Sequence, residues 1–458
     1  MASAATPIYL RRRRSSPLVL TEGDALSLLH EIRRSLSDKL RPENISDVVN
    51  FLEILRSSLK NPDNVGMILR ADFLPLLEEC LTHEDAHIRR SAVWTLCFVT
   101  RNDPELRGHF IKYITRIVHF LEIELTDRCF QADCLKLLAN FAGDSAKGRD
   151  SLLEEVSCPD SLLDLINKIL HPQLLQEIAY LMRCITEHGP HSSGLALRDA
   201  VFTILNCILA LDTNCDCWVI KNVCRAFLNV LRFPTSDTIQ MVKANNVVRK
   251  LIWHSTHAQS DMKCTRLCFA TVIQLIVILF HGDNDTCQEF IDQGALRVLS
   301  IVVEEDRSEL FYHICVAIAN VFACDPPQIQ CAIDNMLLTE VIRQLEHGDL
   351  RIQREAGFAL GSFLDGAHKE QVLQAFEQGL VPPLIQQLQS YDPETVYDTL
   401  VSLFKLMYHA IELKRDEEFL QEMIEFDIKT HIEALGNDRN ETIAWLAKHF
   451  SYHFLLSN

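Results

Sequence analysis

NFAGDSAKGRD, residues 140–150, is the stretch from which the rest of the chain can be read. An apolar helical run reaches Asn140, and Gly143, Asp144 and Ser145 then supply the residues that suit a helix end and a turn. The same signature recurs along the chain. Aligned on Asn140, WTLCFVTRND places Phe98 in the equivalent slot, YLMRCITEHG places Cys184 and RAFLNVLRFP places Asn229. Further on, QLIVILFHGD gives Ile278, VAIANVFACD gives Asn320 and FALGSFLDGA gives Ser362. Successive spacings are 42, 44, 45, 49, 42 and 42 residues.

A second marker keeps the same time. QGALRVL (293–299) and QGLVPPL (378–384) lie 85 residues apart, about two periods, with weaker copies at ADFLPLL (71–77) and NNVVRKL (245–251). Each opens a longer apolar helix. One unit therefore reads as a short helix, a longer helix and a third helix ending at the slot. A period of ~40–47 residues is that of armadillo and HEAT arrays. No single unit can bury its apolar faces alone, so the units must stack. The expected fold is all-α, an armadillo-repeat right-handed superhelix or α-solenoid. Residues 46–454 form an array of about ten units, closed by IEALGNDRNETIAWLAKHFSYHF (432–454) as a capping unit. Residues 1–45 are expected to be a mostly flexible arm, with RRRR at 11–14 and a helix-like ALSLLHEIRRSL.

Composition agrees. The 458 residues are 48% hydrophobic with only 15 Gly and 15 Pro, which favours helices over a loop-rich β protein. A formal net charge of −18 argues against nucleic acid and anionic membranes, which demand basic surface, and suits the steering of basic partners. The 16 cysteines are scattered singly, as expected of unpaired thiols in a reducing compartment. The apolar run FATVIQLIVILF (269–280) is too short for a bilayer. Phosphate loops, nucleophile elbows and His-Glu-x-x-His motifs do not occur, so neither an enzyme nor a cofactor is expected. His254, His257, Cys264 and Cys268 imitate zinc-ligand spacing, but thiols are spread throughout this chain and no metal is expected.

The array resembles importin-α (karyopherin-α) over about residues 46–454. The segments that carry the resemblance are NFAGDSAKGRD, FIDQGALRVL, QREAGFALGS with QGLVPPLI, and IEALGNDRNETI. The resemblance implies a concave groove lined by the third helices, each carrying a Trp-x-x-x-Asn pair. Asn amides would hold an extended peptide by its backbone. Trp rings would form slots for Lys and Arg stems and attract their cationic heads, and carboxylates would take the charges. Here the Trp slots read Trp94, Lys136, Tyr180, Arg225, Gln274, Val316 and Phe358. A larger signal-peptide site would use Trp94, Asn140, Asp144 and Tyr180, with Asp144 receiving one deeply placed lysine. A smaller site would use Asn320, Glu355, Phe358 and Ser362, with Asn229 elsewhere in the groove. At the sixth repeat the family's aspartate falls on Asn284, between Asp283 and Asp285. Arg11, Arg12, Arg13 and Arg14 would contact importin-β through an abbreviated arm. The implied partners are proteins bearing basic nuclear localisation signals, importin-β and a nuclear export receptor, with passage between cytoplasm and nucleus. The alternative is an armadillo scaffold that lost general signal binding and serves one dedicated protein partner, a reading that the eroded Trp ladder favours.

Overall fold

A computed structural model describes residues 21–37, 42–58, 73–102, 108, 110–123, 127–155, 159–188, 194–211, 216–232, 235–257, 262–280, 283–304 and 308–455. Every regular element among them is helical. They divide into two compact units: residues up to 213 together with 225–230, and residues 214–224 together with 231 onward.

In the first unit the third helices Pro42–Ser58, Ala86–Asn102, Arg128–Asp144 and Leu175–Glu187 pack in sequence, each against the next. Helix Arg128–Asp144 shows why. Asp127 caps it by accepting a hydrogen bond from the Phe130 backbone N–H. The helix then buries Phe130, Cys134, Leu135, Leu137, Leu138 and Phe141 and leaves Lys136 exposed. Within the segment expected to be mostly flexible, Glu22–Ser37 form a helix that buries Ala25, Leu28, Leu29, Ile32 and Leu36.

In the second unit the corresponding series is Met262–Leu279, Phe311–Phe322, Leu350–Gly366, Pro393–Leu413 and Glu441–Phe450. Phe322 and Phe363 meet edge-on across one such junction, their ring centroids 5.1 Å apart. The second sequence marker has a backbone cause here. Gly294 and Gly379 of the two QG copies hold φ of 97° and 83°, a left-handed turn that glycine adopts without strain. The equivalent turns in the neighbouring repeats are made by Asn246, Met336 and Asp427, also at positive φ. A left-handed residue thus recurs between the first two helices of these repeats, although the helix after Gly379, Val381–Gln387, is shorter than the one before it rather than longer as expected.

Candidate functional site

The slot residues lie at, or within about one turn of, the ends of the third helices: Asn140 in Arg128–Asp144, Asn320 in Phe311–Phe322 and Ser362 in Leu350–Gly366. The asparagines reach back to the preceding repeat. Asn140 donates its amide N–H groups to the Cys97 carbonyl (3.2 Å) and to Thr100 Oγ1 (3.1 Å). Asn229 donates to Thr186 Oγ1 at 3.1 Å, and Asn320 donates to the Val277 carbonyl at 3.2 Å. Each bond joins third helices of adjacent repeats, so the ladder holds the stack together. Replacing Asn140 with Ala should cost about 1–2 kcal/mol, because two acceptors lose their donor. Chemical denaturation checks it; an unchanged midpoint would remove Asn140 from the stacking role.

Around the larger predicted site, Trp94 is half-buried and Phe98 packs 4.5 Å from its ring. The guanidinium of Arg56 lies 3.5 Å from the Trp94 ring centroid. Lys136, in the next Trp slot, pairs with Glu177 at 3.4 Å and lies 3.9 Å from Asp133. Burial pushes the Asp133 carboxyl up to about 6, against the pull of Lys136 and Arg90. Tyr180 is half-buried with Arg183 5.7 Å above its ring. Trp94, Arg56, Asp133 and Lys136 line a cleft of about 490 Å³ together with Glu53 and Arg90 among others; Tyr180, Asn140 and Asp144 are not in its lining.

The opening stretch folds differently from its reading as a turn. The helix continues through Gly143 to Asp144 and stops at Ser145, whose backbone is extended (φ −158°, ψ 157°). Asp144 is thus the last helical residue, half-buried. Carbonyl dipoles at a helix C-terminus disfavour a carboxylate, so helix stability alone gives no reason for an acid there. The close approach in this stretch belongs to Gly148, where an added Cβ would sit 2.1 Å from the Phe141 carbonyl oxygen. Arg149 is buried and pairs with Asp150 at 2.7 Å, while Lys147 is exposed.

The second unit holds the smaller predicted site. Phe358 is 58% exposed on helix Leu350–Gly366, with half-buried Glu355 three residues before it on the same face. Ser362 donates its hydroxyl to the Phe358 carbonyl within the helix. Phe358 shares a small cleft with Arg354, Thr395, Asp398 and Ser402. Burial raises the Asp398 carboxyl, with Glu394 adding to the effect. Cations on these helices are already engaged: Arg354 with Glu394, Lys405 with Asp365 at 2.7 Å, and Arg351 over the Tyr312 ring at 4.9 Å.

Three residues of this series escaped the sequence reading, Lys405, Trp445 and His449. Continuing the register beyond Phe358 and Ser362 by two repeats reaches Val401 and Lys405, then Trp445 and His449. Lys405 reaches back to the Gly361 carbonyl at 3.5 Å, as the asparagines do in their repeats. Trp445 is 59% exposed and stacks on His449, centroids 4.8 Å apart at 14°. The signal was the spacing itself, carried two repeats further into the segment read as a cap.

Other predicted positions lie apart from these faces or outside the description. Arg225 is exposed. Asp283 caps helix Asn284–Asp292 by accepting from the Thr286 backbone N–H, and Asn284 opens that helix. Arg11 to Arg14, and the side chains of His254, His257, Cys264 and Cys268, lie outside the described residues.

Residues 61–97 match the armadillo/beta-catenin-like repeat family, a span that ends one residue before the Phe98 slot. The crystal structure of an engineered protein from the Northeast Structural Genomics Consortium superposes with a TM-score of 0.72 at 18% identity, over 94% of this chain and 98% of that one. The fold is an armadillo-type α-solenoid. A designed armadillo repeat protein in complex with the peptide (KR)4 is similar with a TM-score of 0.46 at 19% identity, covering 55% of this chain and 98% of that one. A computationally designed armadillo repeat protein for modular peptide recognition gives 0.46 at 18%, covering 53% and 95%. Curated protein sequences yield no match. In this solenoid the exposed rings of Phe358 and Trp445 stand at register positions of the third helices.

Proposed function

We propose that the chain is a peptide-binding adaptor whose second unit takes an extended basic segment of a partner protein, the kind of segment that serves as a nuclear localisation signal. In this reading it carries such cargo between cytoplasm and nucleus, with importin-β and a nuclear export receptor as its transport partners. The observation that carries the reading is the exposed ring of Phe358 at a slot position, with Glu355 and Asp398 beside it, joined two repeats further along the same series of helices by Trp445, exposed and stacked on its own His449. A ring face and a carboxylate together suit a Lys or Arg stem and its charged head. Arg354 and Lys405, near Phe358, are held by their own carboxylate partners. The net charge of −18 draws basic segments toward the protein.

A labelled octapeptide of alternating Lys and Arg, titrated into the full chain by fluorescence anisotropy, tests binding. Phe358→Ala should weaken it roughly tenfold, the scale of a desolvated cation–π contact. Equal affinity of the two proteins would remove Phe358 from the site. The transport part is tested by import of a basic-signal cargo into permeabilised cells, with and without the chain and importin-β.

A second reading is a solenoid scaffold for one dedicated partner. It draws on the first unit, where Arg56 covers Trp94 and Asn140 spends its amide on the adjacent repeat.

A further inference from the structure

Trp94 is the one Trp among the seven slots from Trp94 to Phe358, yet its ring is not open. Arg56 comes from helix Pro42–Ser58, the third helix of the preceding repeat, and stands 42 residues before Phe98. It therefore occupies, one repeat earlier, the register position that Asn140 holds in its own repeat. From there it lays its guanidinium 3.5 Å from the Trp94 centroid, while Phe98 packs against the same indole at 4.5 Å. Arg56 Nε is buried and finds no hydrogen-bond acceptor among the described residues. The other two cations lining this cleft are held by carboxylates, Arg90 by Asp127 at 3.0 Å and Lys136 by Glu177 at 3.4 Å. Arg56 is held on the aromatic ring instead. This is the place that an incoming lysine or arginine takes in an open slot, stem along the indole and charge over its face.

We propose that Arg56 is a specificity-determining residue: the chain's own cation fills the Trp94 slot, bars basic side chains from it, and leaves basic-peptide binding to the face of Phe358 and Trp445. The inference rests on reading exposed rings as cation slots. Two like charges do not share one ring face, because the second loses the attraction and meets the repulsion of the first. With Arg56 in place the Trp94 cleft offers a basic peptide only repulsion at its ring. Glu53 and Asp133 remain in the lining, beside Arg90 and Lys136, which are paired with Asp127 and Glu177, so removal of Arg56 leaves a ring and two carboxylates in one cleft.

The experiment uses the full chain carrying Glu355→Lys and Phe358→Ala, which close the second face, and measures anisotropy of the alternating Lys-Arg octapeptide. Adding Arg56→Ala should raise affinity at least tenfold. Adding Arg56→Gln, which keeps most of the stem and removes the charge, should raise it by a similar factor, and Arg56→Lys should not. Adding Trp94→Ala to Arg56→Ala should abolish the gain. A cooperative thermal melt for each protein shows that it is folded. If neither Arg56→Ala nor Arg56→Gln binds better than its parent, the inference is overturned, whatever the unaltered chain does. If the unaltered chain fails to bind while its Arg56→Ala variant binds, the inference stands and the reading of the second face falls.

Discussion

Gly148→Ala should lower the stability of this protein by roughly 3 kcal/mol, at the upper end of what overpacking costs. The new Cβ would lie 2.1 Å from the carbonyl oxygen of Phe141 and 3.0 Å from its carbonyl carbon. Both atoms belong to the backbone of helix Arg128–Asp144, so no side-chain rotation relieves the clash. Helix Ala146–Glu155 must move as a body, and with it Arg149, which is buried against Asp150. Disturbing the pairing of a buried arginine adds desolvation cost to steric cost. Gly143→Ala is the internal control. Its Cβ would meet the Cys184 side chain, 3.0 Å from Sγ, a group that can turn aside. The same change also gains about 1 kcal/mol of helix propensity, so the net effect should be near zero. Urea denaturation of both variants, read by far-ultraviolet circular dichroism, decides it. Equal midpoints for the two would show that the close approach of Gly148 to the Phe141 carbonyl carries no such cost.

That contrast shows what a sequence discloses and what it withholds. The register was legible because its carriers are local: an apolar helix closing on a slot residue, then turn formers, every 42 to 49 residues. The QG marker was legible where the left-handed turn is made by Gly294 and Gly379. It was hidden where Met336 or Asp427 makes the same turn, since neither residue type advertises positive φ. Gly143 and Asp144 looked like a helix end, and the helix does stop at Asp144, one residue past the glycine. Trp445 and His449 obey the spacing but were absorbed into the segment read as a capping unit. Arg56 was beyond reach altogether. Its contact with Trp94 spans 38 residues and depends on how two third helices lie side by side, which no local pattern encodes. The asparagines teach the same point: their slots were correct, but only the stack reveals that their amides bind the neighbouring repeat.

Reversing charge on the second face should have the largest effect on binding. In a chain carrying Glu355→Lys and Asp398→Lys, affinity for the alternating Lys-Arg octapeptide should fall roughly hundredfold. A charge-assisted hydrogen bond is worth ~1.5–3 kcal/mol; Asp398 is exposed and Glu355 only half-buried, so screening brings each nearer to about 1.4 kcal/mol, or tenfold. The two positions come from adjacent third helices, Leu350–Gly366 and Pro393–Leu413, so an extended peptide crossing both meets both lysines. Salt should weaken the unaltered complex, because exposed charges are screened over about 10 Å at 0.1 M. Acid should weaken it as well, and the sign follows from Asp398. Its carboxyl is partly desolvated in the cleft beside Phe358 and, with Glu394 adding to the effect, is raised above the ordinary aspartate value, so it takes up a proton at a higher pH than a free aspartate and loses its pull on a cation as pH falls. The Asp398→Asn variant, neutral at every pH, should bind more weakly at neutral pH and show a flatter acid limb. The pH series on the unaltered chain and on this variant, with thermal melts alongside, carries the decision. If the doubly reversed chain melts normally and binds the peptide as tightly as before, the basic-segment reading fails and the solenoid is a scaffold for a partner of other chemistry.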